Sequence, residues 1–266
     1  MAGLITLTTD FGTGSCYVAA MKGVILGINR HVRLVDLGHQ IPPQDLRYAS
    51  VFLQACVPYF PPEAIHVIVV DPGVGSERGI LFVEMEQTRL LVPDNGCWTG
   101  LPTPDNPLLR VFRLTEPQFW RECISNTFHG RDIFAPAAAH LSLGVRPESM
   151  GEPVQSWQKL DLPRPVLTES AMSGEVLFID DFGNLITNIP GEPFQSWLDD
   201  DVRVTVNGSE LTEMGRTYAD VQPGNSLVLV SSMNTVEIAV NQGNAAKTYE
   251  AKVGDVVRVE KVGGLS

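Results

Sequence analysis

The sequence predicts an α/β first domain with a mostly parallel central sheet, followed by a smaller all-β, barrel-like second domain. Over the first 145 residues, short apolar runs alternate with helix-like patterns, which is typical of α/β domains. From about residue 173 onward, short β-rich runs are separated by tight turns. Residues 146–170 contain four prolines and little periodicity, as a linker does. We therefore place the domains at residues 1–160 and 161–266.

The first domain begins with strand and helix patterns in alternation. Strands are predicted for the short apolar runs at residues 3–9, 32–37, 65–70, 80–85 and 89–92. The run 65–70 is apolar on both faces, as expected of a central strand covered by helices. Helices are predicted at 16–29, 45–60 and 133–144. Asp45 and Asp132 are the expected N-caps of the second and third helices.

The second domain shows only short strand patterns and turn signals. Six strands are predicted, at residues 174–180, 184–189, 202–206, 226–231, 235–240 and 255–260. Turns are indicated by Asn207-Gly208, Pro223-Gly224 and Val253-Gly254. One short helix is possible at 193–198. This pattern predicts a small antiparallel barrel or sandwich.

Composition excludes several classes of function. The chain has 266 residues, a formal net charge of -12 and a pI near 4.8, so it lacks the basic face that nucleic acids or anionic membranes require. No apolar stretch approaches the ~20 residues of a membrane span. The first residues show no basic segment before an apolar run, so no signal peptide is expected. The four cysteines form no CxxC pair, which argues against a zinc or redox site. We expect a cytoplasmic protein.

Acidic, glycine-containing turns follow several of the predicted strands. Asp10 follows the first strand, Asp71 the third, and the PDNG at 93–96 a later one. In open α/β sheets ligands bind beyond the carboxyl ends of the strands, so these turns are expected to converge. Each alone could equally be an ordinary turn. Arg78 follows Asp71 across a glycine-rich loop, either as part of a site or as a surface ion pair of about 0–1 kcal/mol.

Two further clusters could carry chemistry. His129 lies in the segment NTFHGRDIFAP just before a predicted helix, although a lone histidine is more often structural. In the second domain, Asp180, Phe182 and Asn184 surround one turn. An aromatic face beside an amide and a carboxylate suits a purine and ribose, but a simple hairpin corner would look the same.

Taken together, eight segments in order between about residues 4 and 260 resemble one family. They are LTTDFG, YVAAMKGVI, HQIPPQD, VVDPGVGSERG, VPDNG, TFHGRDIFAPAAA, IDDFGNLITNI and EIAVNQGNAA. The chain resembles the S-adenosyl-L-methionine hydroxide adenosyltransferases, hydrolases that form adenosine and are relatives of fluorinating and chlorinating enzymes. The resemblance implies an α/β domain followed by a β-barrel-like domain. It also implies a homotrimer whose active sites lie between subunits.

The resemblance also implies roles for individual residues. The catalytic set is Asp71, Arg78 and His129. For substrate binding, Asp10 falls where the family holds the ribose hydroxyls. The other implied binding residues, for the methionine and adenine parts, are Asp180, Phe182, Asn184, Ser232 and Val240, with Glu237 as an alternative partner of the methionine ammonium.

Three positions differ from the halogenating branch of that family. Those relatives carry an aromatic residue where Asp71 stands, a hydroxyl residue at Gly130 and a tryptophan at Gln44. A carboxylate at position 71 would repel a halide, so water is the better nucleophile.

The expected reaction is hydrolysis of S-adenosyl-L-methionine to adenosine and L-methionine, by in-line attack of an activated water at the ribose C5′. Neither a cofactor nor a metal is expected. Because an adjacent guanidinium makes a carboxylate a weak base, His129 is the better candidate proton acceptor, with Asp71 and Arg78 fixing the geometry. The alternatives are halide-dependent adenosyl transfer, a non-catalytic adenosine- or S-adenosylmethionine-binding module, and a metal-dependent hydrolase.

Overall fold

The structure is a computed structural model that describes residues 3–101, 108–198 and 201–262. The chain divides into two compact units, Met1–Leu162 and Pro163–Ser266. This division falls close to the linker region that the prolines indicate.

The first unit contains a seven-stranded sheet within the described residues. Its strands are β1 (Leu4–Thr9), β2 (Arg33–Gly38), β3 (Ile65–Val69), β4 (Ile80–Met85), β5 (Thr88–Pro93), β6 (Arg110–Leu114) and β7 (Gly151–Pro153). They are ordered β2-β1-β3-β5-β4-β6-β7. Strands β6 and β7 were not predicted from the sequence.

The prediction of a mostly parallel sheet was wrong, because the sheet is mixed. Strands β2, β1, β3 and β5 run parallel, whereas β4, β6 and β7 pair antiparallel to their neighbours. The physical reason lies in the connections. Parallel neighbours need a long crossover, which the helices after β1 and β2 provide, while β4 and β5 are joined by a tight hairpin that forces antiparallel pairing.

Three α-helices accompany this sheet in the described part of the first unit. They are α1 (Cys16–Ile28), α2 (Leu46–Cys56) and α3 (Ala135–Ser142), and short 3₁₀ turns lie at Val57–Tyr59, Pro117–Phe119 and Pro147–Ser149. Asp45 caps α2 as predicted, since its carboxylate accepts the amide of Tyr48 at 2.8 Å. The sequence predicted that this helix extends to residue 60, but α2 ends at Cys56. Pro58, two positions later, has no backbone N–H with which to continue the helical hydrogen bonds.

Asp132 does not cap a helix, contrary to the prediction. It lies inside a π-helical turn, Gly130–Phe134, that leads directly into α3. Its fully buried carboxylate pairs with Arg121 and Arg131 and accepts the amide of Ser125 instead. π-Helical turns are rare, and many of those that are found lie at functional sites.

Both faces of the sheet are buried, as the pattern at 65–70 predicts. Val67 and Val69 of β3 pack in one core cluster, together with α1 and α3. Ile68 and Val70 point the opposite way, into a second cluster that includes α2 residues. The sheet is therefore held between helical layers, which leaves the ends of its strands free to carry polar residues.

The second unit is a barrel-like antiparallel sheet. Its strands are β8 (Val166–Leu167), β9 (Ala171–Ile179), β10 (Leu185–Pro190), β11 (Val202–Val206), β12 (Ser209–Leu211), β13 (Ser226–Val230), β14 (Thr235–Val240) and β15 (Val256–Lys261). The order is β12-β11-β15-β9-β10-β14-β13, with β8 on β9. Its described residues also form two short helices, α4 (Gly191–Gln195) and α5 (Ala245–Thr248), and a 3₁₀ turn at Tyr218–Asp220.

The predicted turns of this unit are confirmed. Gly208, Gly224 and Gly254 all have positive φ, the left-handed conformation that glycine adopts without strain. Asn207 and Gly208 join β11 to β12, where the Asn-Gly pair suits a two-residue hairpin. Across the described residues of both units, no helix is long and apolar enough to cross a membrane.

Candidate active site

Three polar turns lie at the same edge of the first sheet, as the sequence predicts. Strands β1, β3 and β5 are parallel, so their carboxyl ends share that edge. Asp10 follows β1, and its carboxylate accepts the backbone amide of Gln44 at 2.9 Å. Asn95, in the turn after β5, donates to the carbonyl of Val70 at 2.9 Å, directly before Asp71.

The glycine-rich loop after β3 folds back on itself. The amide of Val74 donates to the carbonyl of Asp71, and that of Ser76 donates to the carbonyl of Gly73. Gly75 has φ +80°, and a Cβ there would lie 2.3 Å from the carbonyl oxygen of Asn126. Only glycine fits this close approach. The resulting turn brings Arg78 back beside Asp71.

Asp71 and Arg78 form a buried ion pair. The Nε of Arg78 lies 2.9 Å from both carboxylate oxygens, and its Nη2 also contacts Oδ2. The two side chains are only 3% and 10% exposed, respectively. The pair is therefore no ordinary surface ion pair, since removing two charges from water is costly and needs a bidentate geometry to offset it.

His129 joins this pair through the same guanidinium. The Nη2 of Arg78 lies 2.9 Å from Nδ1 of His129. Because arginine can only donate, Nδ1 must accept and the ring proton must sit on Nε2. Burial, and then the nearby charge of Arg78, lower the pKa of His129, so the neutral ring is the stable form at neutral pH.

The segment that carries His129 is fixed by Asp132. Burial alone would raise the pKa of Asp132, but hydrogen bonds from Arg131, Ser125 and Arg121 outweigh it and lower the pKa to about 2. Asp132 thus stays ionised and ties the π-helical turn to the preceding loop. Phe134 in the same turn lies under the guanidinium of Arg78, 5.8 Å from ring centre to Cζ.

Gly130 is packed against the core next to His129. A Cβ at this position would lie 3.2 Å from Sδ of Met21 and 3.3 Å from Cγ1 of Val69. Both distances are tighter than ordinary van der Waals contact, so a larger residue would need its neighbours to shift. Position 130 therefore has little room for a side chain.

The second unit contains its own cavity of about 350 Å³. Three of the predicted binding residues, Asp180, Ser232 and Glu237, line it. Glu237 is only 3% exposed, and its Oε1 accepts the hydroxyl of Tyr218 at 2.7 Å. Burial, together with the charge of Asp180, raises the pKa of Glu237. Two carboxylates that face one cavity form a site suited to a cation.

The remaining predicted binding residues lie elsewhere in this unit. Asn184 is buried, and its amide donates to Asp180 Oδ2 at 3.0 Å, so it holds that carboxylate in place. Phe182 is 76% exposed at the tip of the turn. Val240 belongs to the apolar core, not to the cavity lining. The backbone amide of Ala246 donates to the carbonyl of Gly183, which brings the IDDFGNLITNI and EIAVNQGNAA segments together.

The cavity residues that were not predicted from the sequence include one cation and one phenol. Arg216 and Tyr218 line the cavity from the loop between β12 and β13. That loop lacks a periodic pattern, and the only signal in the sequence is a cation and a phenol within MGRTYAD. Their approach to β14 depends on the pairing of Gly215 with Val228, which is not a local property of the chain.

The described residues include no group of three or more His, Cys, Asp or Glu side chains placed to hold a metal ion. The described residues therefore do not provide the ligand set that a metal-dependent hydrolase would need.

Comparison with known domain families decides the classification. Residues 5–151 match the SAM hydroxide adenosyltransferase N-terminal domain, and residues 174–258 match the SAM hydroxide adenosyltransferase C-terminal domain. The chain belongs to the SAM hydroxide adenosyltransferase family. The two matches fall in the two structural units, in the order that the sequence resemblance implies.

Several relatives match nearly the whole chain. A protein of Salinispora arenicola named (R)-S-adenosyl-L-methionine hydrolase is 37% identical, over 96% of this chain and 97% of its own length. A Thermus thermophilus protein of the same name is also 37% identical, over 94% and 97%. A fluorinase of Actinoplanes sp. is more distant, at 22% identity over 97% of both chains.

One solved structure has the same fold as this chain. An uncharacterized conserved protein from Thermotoga maritima has a TM-score of 0.91 at 35% identity, covering 97% of this chain and all of that one.

Proposed function

We propose that the protein hydrolyses S-adenosyl-L-methionine to adenosine and L-methionine, by attack of water at the ribose C5′. The observation that carries this proposal is the buried Asp71–Arg78–His129 array beyond the carboxyl ends of parallel strands. Relatives that are 32–37% identical over nearly their full length are named (R)-S-adenosyl-L-methionine hydrolases.

The substrate's chemistry sets what the protein has to do. The sulfur of S-adenosylmethionine is a sulfonium cation, so methionine leaves as a neutral thioether and needs no proton. The new bond joins the water oxygen to C5′ as the C5′–S bond breaks, and one proton is released. The protein must align the water with the breaking bond and accept that proton. Holding the water in line supplies about 7 kcal/mol or more of the barrier reduction.

The geometry favours Asp71 over His129 as the proton acceptor, in contrast to the expectation from sequence. Nδ1 of His129 already accepts from Arg78, and Nε2 carries a proton, so the neutral ring has no free lone pair. In this proposal Asp71 accepts from the water while the Nε2–H of His129 donates to its oxygen. A weak base suffices, because attack turns the water into a strongly acidic oxonium.

The substrate-binding roles that we propose involve residues of both units. Asp10 binds the ribose hydroxyls from the turn after β1. Asp180 and Glu237 bind the methionine ammonium, with Ser232 beside them in the same cavity. We further propose, from the family resemblance, that Phe182, Asn184 and Val240 lie near the methionine and adenine. Since the array and this cavity belong to different units, we propose a homotrimer in which adjacent subunits each contribute one half of the active site. The reaction as written uses no cofactor, and we place it in the cytoplasm.

Halide-dependent transfer is the less supported alternative. The buried carboxylate of Asp71 would face an attacking anion, and the two repel. Gly130 stands where halogenating relatives carry a hydroxyl residue, and its surroundings crowd any added side chain. A non-catalytic binding module would not need a buried array of charges, which costs folding free energy.

Chromatography of the purified protein with S-adenosylmethionine tests this function. The wild type should release adenosine and methionine in equal amounts, and added chloride should yield no 5′-chloro-5′-deoxyadenosine. Asp71→Asn should lower kcat/KM by about 100-fold or more, the range of general base catalysis. Asp161→Asn, at an exposed position of the same unit, is the control and should retain wild-type activity. A wild type that forms no adenosine, or an Asp71→Asn protein that is fully active, contradicts the proposal.

A further inference from the structure

The cavity of the second unit has a charge pattern that its acidic residues alone do not explain. Asp180 and Glu237 supply two carboxylates, and Arg216 is the one cationic residue in the described lining. The methionine end of the substrate is itself a zwitterion, with an ammonium and a carboxylate on one carbon. Two carboxylates account for the ammonium but repel the α-carboxylate, so the proposed function leaves the latter without a partner.

Arg216 is held at the cavity by the backbone on both sides of it. The amide of Gly215 donates to the carbonyl of Val228 at 2.9 Å, which docks the preceding segment onto β13. The amides of Arg216 and Thr217 both donate to Asp220 Oδ2, at 2.7 and 3.1 Å. The base of the side chain is thus fixed, while the exposed side chain reaches the cavity.

The guanidinium of Arg216 has no carboxylate partner within the described part of the chain. The ion pair that the structure describes in the second unit joins Arg203 to Glu210 and does not involve Arg216. By contrast, Asp180 is already held by three donors, from the backbone of Phe182 and from both amide groups of Asn184. Glu237 is held by Tyr218. The two carboxylates are therefore positioned without Arg216, whose planar fork of donors remains available to an anion.

We infer that Arg216 binds the α-carboxylate of the methionine moiety and so selects substrates that carry an intact amino acid. The zwitterion then has one orientation, with its ammonium toward Asp180 and Glu237 and its carboxylate toward Arg216. This inference rests on the proposed function and adds a specificity-determining residue to it.

A pair of substrates that differ only in the carboxylate tests the role of Arg216. The pair is S-adenosylmethionine and its decarboxylated analogue, which keeps the ammonium and the sulfonium. Charge-assisted hydrogen bonds to a carboxylate account for about a 10- to 100-fold preference of the wild type for the first. Arg216→Gln should lose that preference by lowering kcat/KM for S-adenosylmethionine only, and Arg216→Lys should retain part of it.

The matched control is Arg258→Gln, which removes the same charge from an exposed strand position of the same unit outside the cavity lining. It should behave as the wild type does. Equal losses on both substrates in Arg216→Gln would show a structural role and overturn the inference. So would wild-type activity of Arg216→Gln toward S-adenosylmethionine.

A binding measurement separates this inference from the proposed function. Calorimetric titration with L-methionine requires no turnover, so it remains informative even if the wild type releases no adenosine. The wild type should bind L-methionine more tightly than 3-(methylthio)propylamine, which lacks the carboxylate, and Arg216→Gln should bind both equally. Unchanged methionine affinity in Arg216→Gln would overturn the inference, whatever the outcome of the adenosine assay.

Discussion

At the scale of single residues, the Asp71–Arg78 pair combines a structural role with the chemical role proposed for Asp71. Asp71→Ala would leave the guanidinium of Arg78 buried beside no carboxylate, at a cost of about 3–5 kcal/mol. Asp71→Asn keeps the shape and a hydrogen-bond acceptor. This is why the asparagine variant, and not the alanine variant, separates catalysis from folding.

The three residues of this array were predicted from the sequence, but the tautomer of His129 was not. Arg78 follows Asp71 by seven positions across a glycine-rich loop, so their pairing was open to prediction. His129 lies 51 residues from Arg78, and only the fold brings the two together. The tautomer of His129 follows from that contact, and it could not be read from residue order.

Glu237 provides a prediction about stability and pH. Its pKa is raised in the folded state, so folding binds its proton more tightly than the unfolded chain does. Its contribution to the free energy of unfolding is therefore greatest below its ordinary pKa of about 4.3 and is lost as pH rises through the raised value. Glu237→Gln lacks this loss and keeps an acceptor for Tyr218. It should be more stable than the wild type at pH 8, by roughly 0.5–2 kcal/mol.

Melting temperatures at about pH 4, 6 and 8 check this prediction, because those values bracket the ordinary glutamate pKa and the pH range above it. The advantage of Glu237→Gln should grow with pH and nearly vanish at the acid end. Parallel curves for the two proteins would show that Glu237 does not titrate in this way.

At the scale of elements, the turn after β1 is braced by His39. The carbonyl of His39 accepts the amide of Gly12 at 2.7 Å. Its Nδ1 lies 3.0 Å from the hydroxyl of Thr9, which in turn accepts the amide of Phe11. Both sides of Asp10 are thus tied to one buried residue. On the far side of the ring, Nε2 is 3.1 Å from Asp36, an electrostatic contact without hydrogen-bond geometry.

His39→Ala should loosen the turn that carries Asp10 and weaken ribose binding. The lost side-chain hydrogen bond has a typical net value of 0.5–1.5 kcal/mol, so we expect KM for S-adenosylmethionine to rise by about 2- to 10-fold while kcat changes less. Steady-state kinetics measure this split. His39→Asn retains an acceptor near the Nδ1 position and should recover part of the loss. A fall in kcat alone, or equal behaviour of both variants, would contradict the bracing role.

Elements with strong local patterns were predicted well, and those set by distant pairing were not. The strand 65–70 and the Asp45 cap follow from burial on both faces and from side-chain geometry. Strand β7, by contrast, is only three residues long. It forms because its backbone pairs with the neighbouring strand β6, with Glu152 opposite Arg113. Asp132 failed as a predicted cap because two arginines, Arg121 and Arg131, take its carboxylate instead.

At the scale of the whole molecule, the two units carry different parts of the proposed chemistry. The array proposed to activate water belongs to the first unit, and the cavity proposed for the amino-acid end belongs to the second. The sequence indicated both halves, yet neither was convincing alone until the collinear segments were considered together.

Mixed oligomers test whether adjacent subunits share an active site. One subunit type carries Asp71→Asn, and the other carries Asp180→Asn with Glu237→Gln. Two differently tagged forms, co-expressed and purified through both tags, should regain activity that neither has alone. In a cyclic trimer, each mixed assembly contains one intact site of three, so we expect about one-third of the wild-type rate. Inactive mixed oligomers, or subunits that do not co-purify, would contradict the shared site.

The attack of water at C5′ is tested most directly by an isotope experiment. The protein is incubated with S-adenosylmethionine in water enriched in the heavy oxygen isotope, and both products are examined by mass spectrometry. The account predicts that the isotope enters the 5′-hydroxyl of adenosine and is absent from methionine. Adenosine without the isotope, or the isotope in the methionine product, would contradict it.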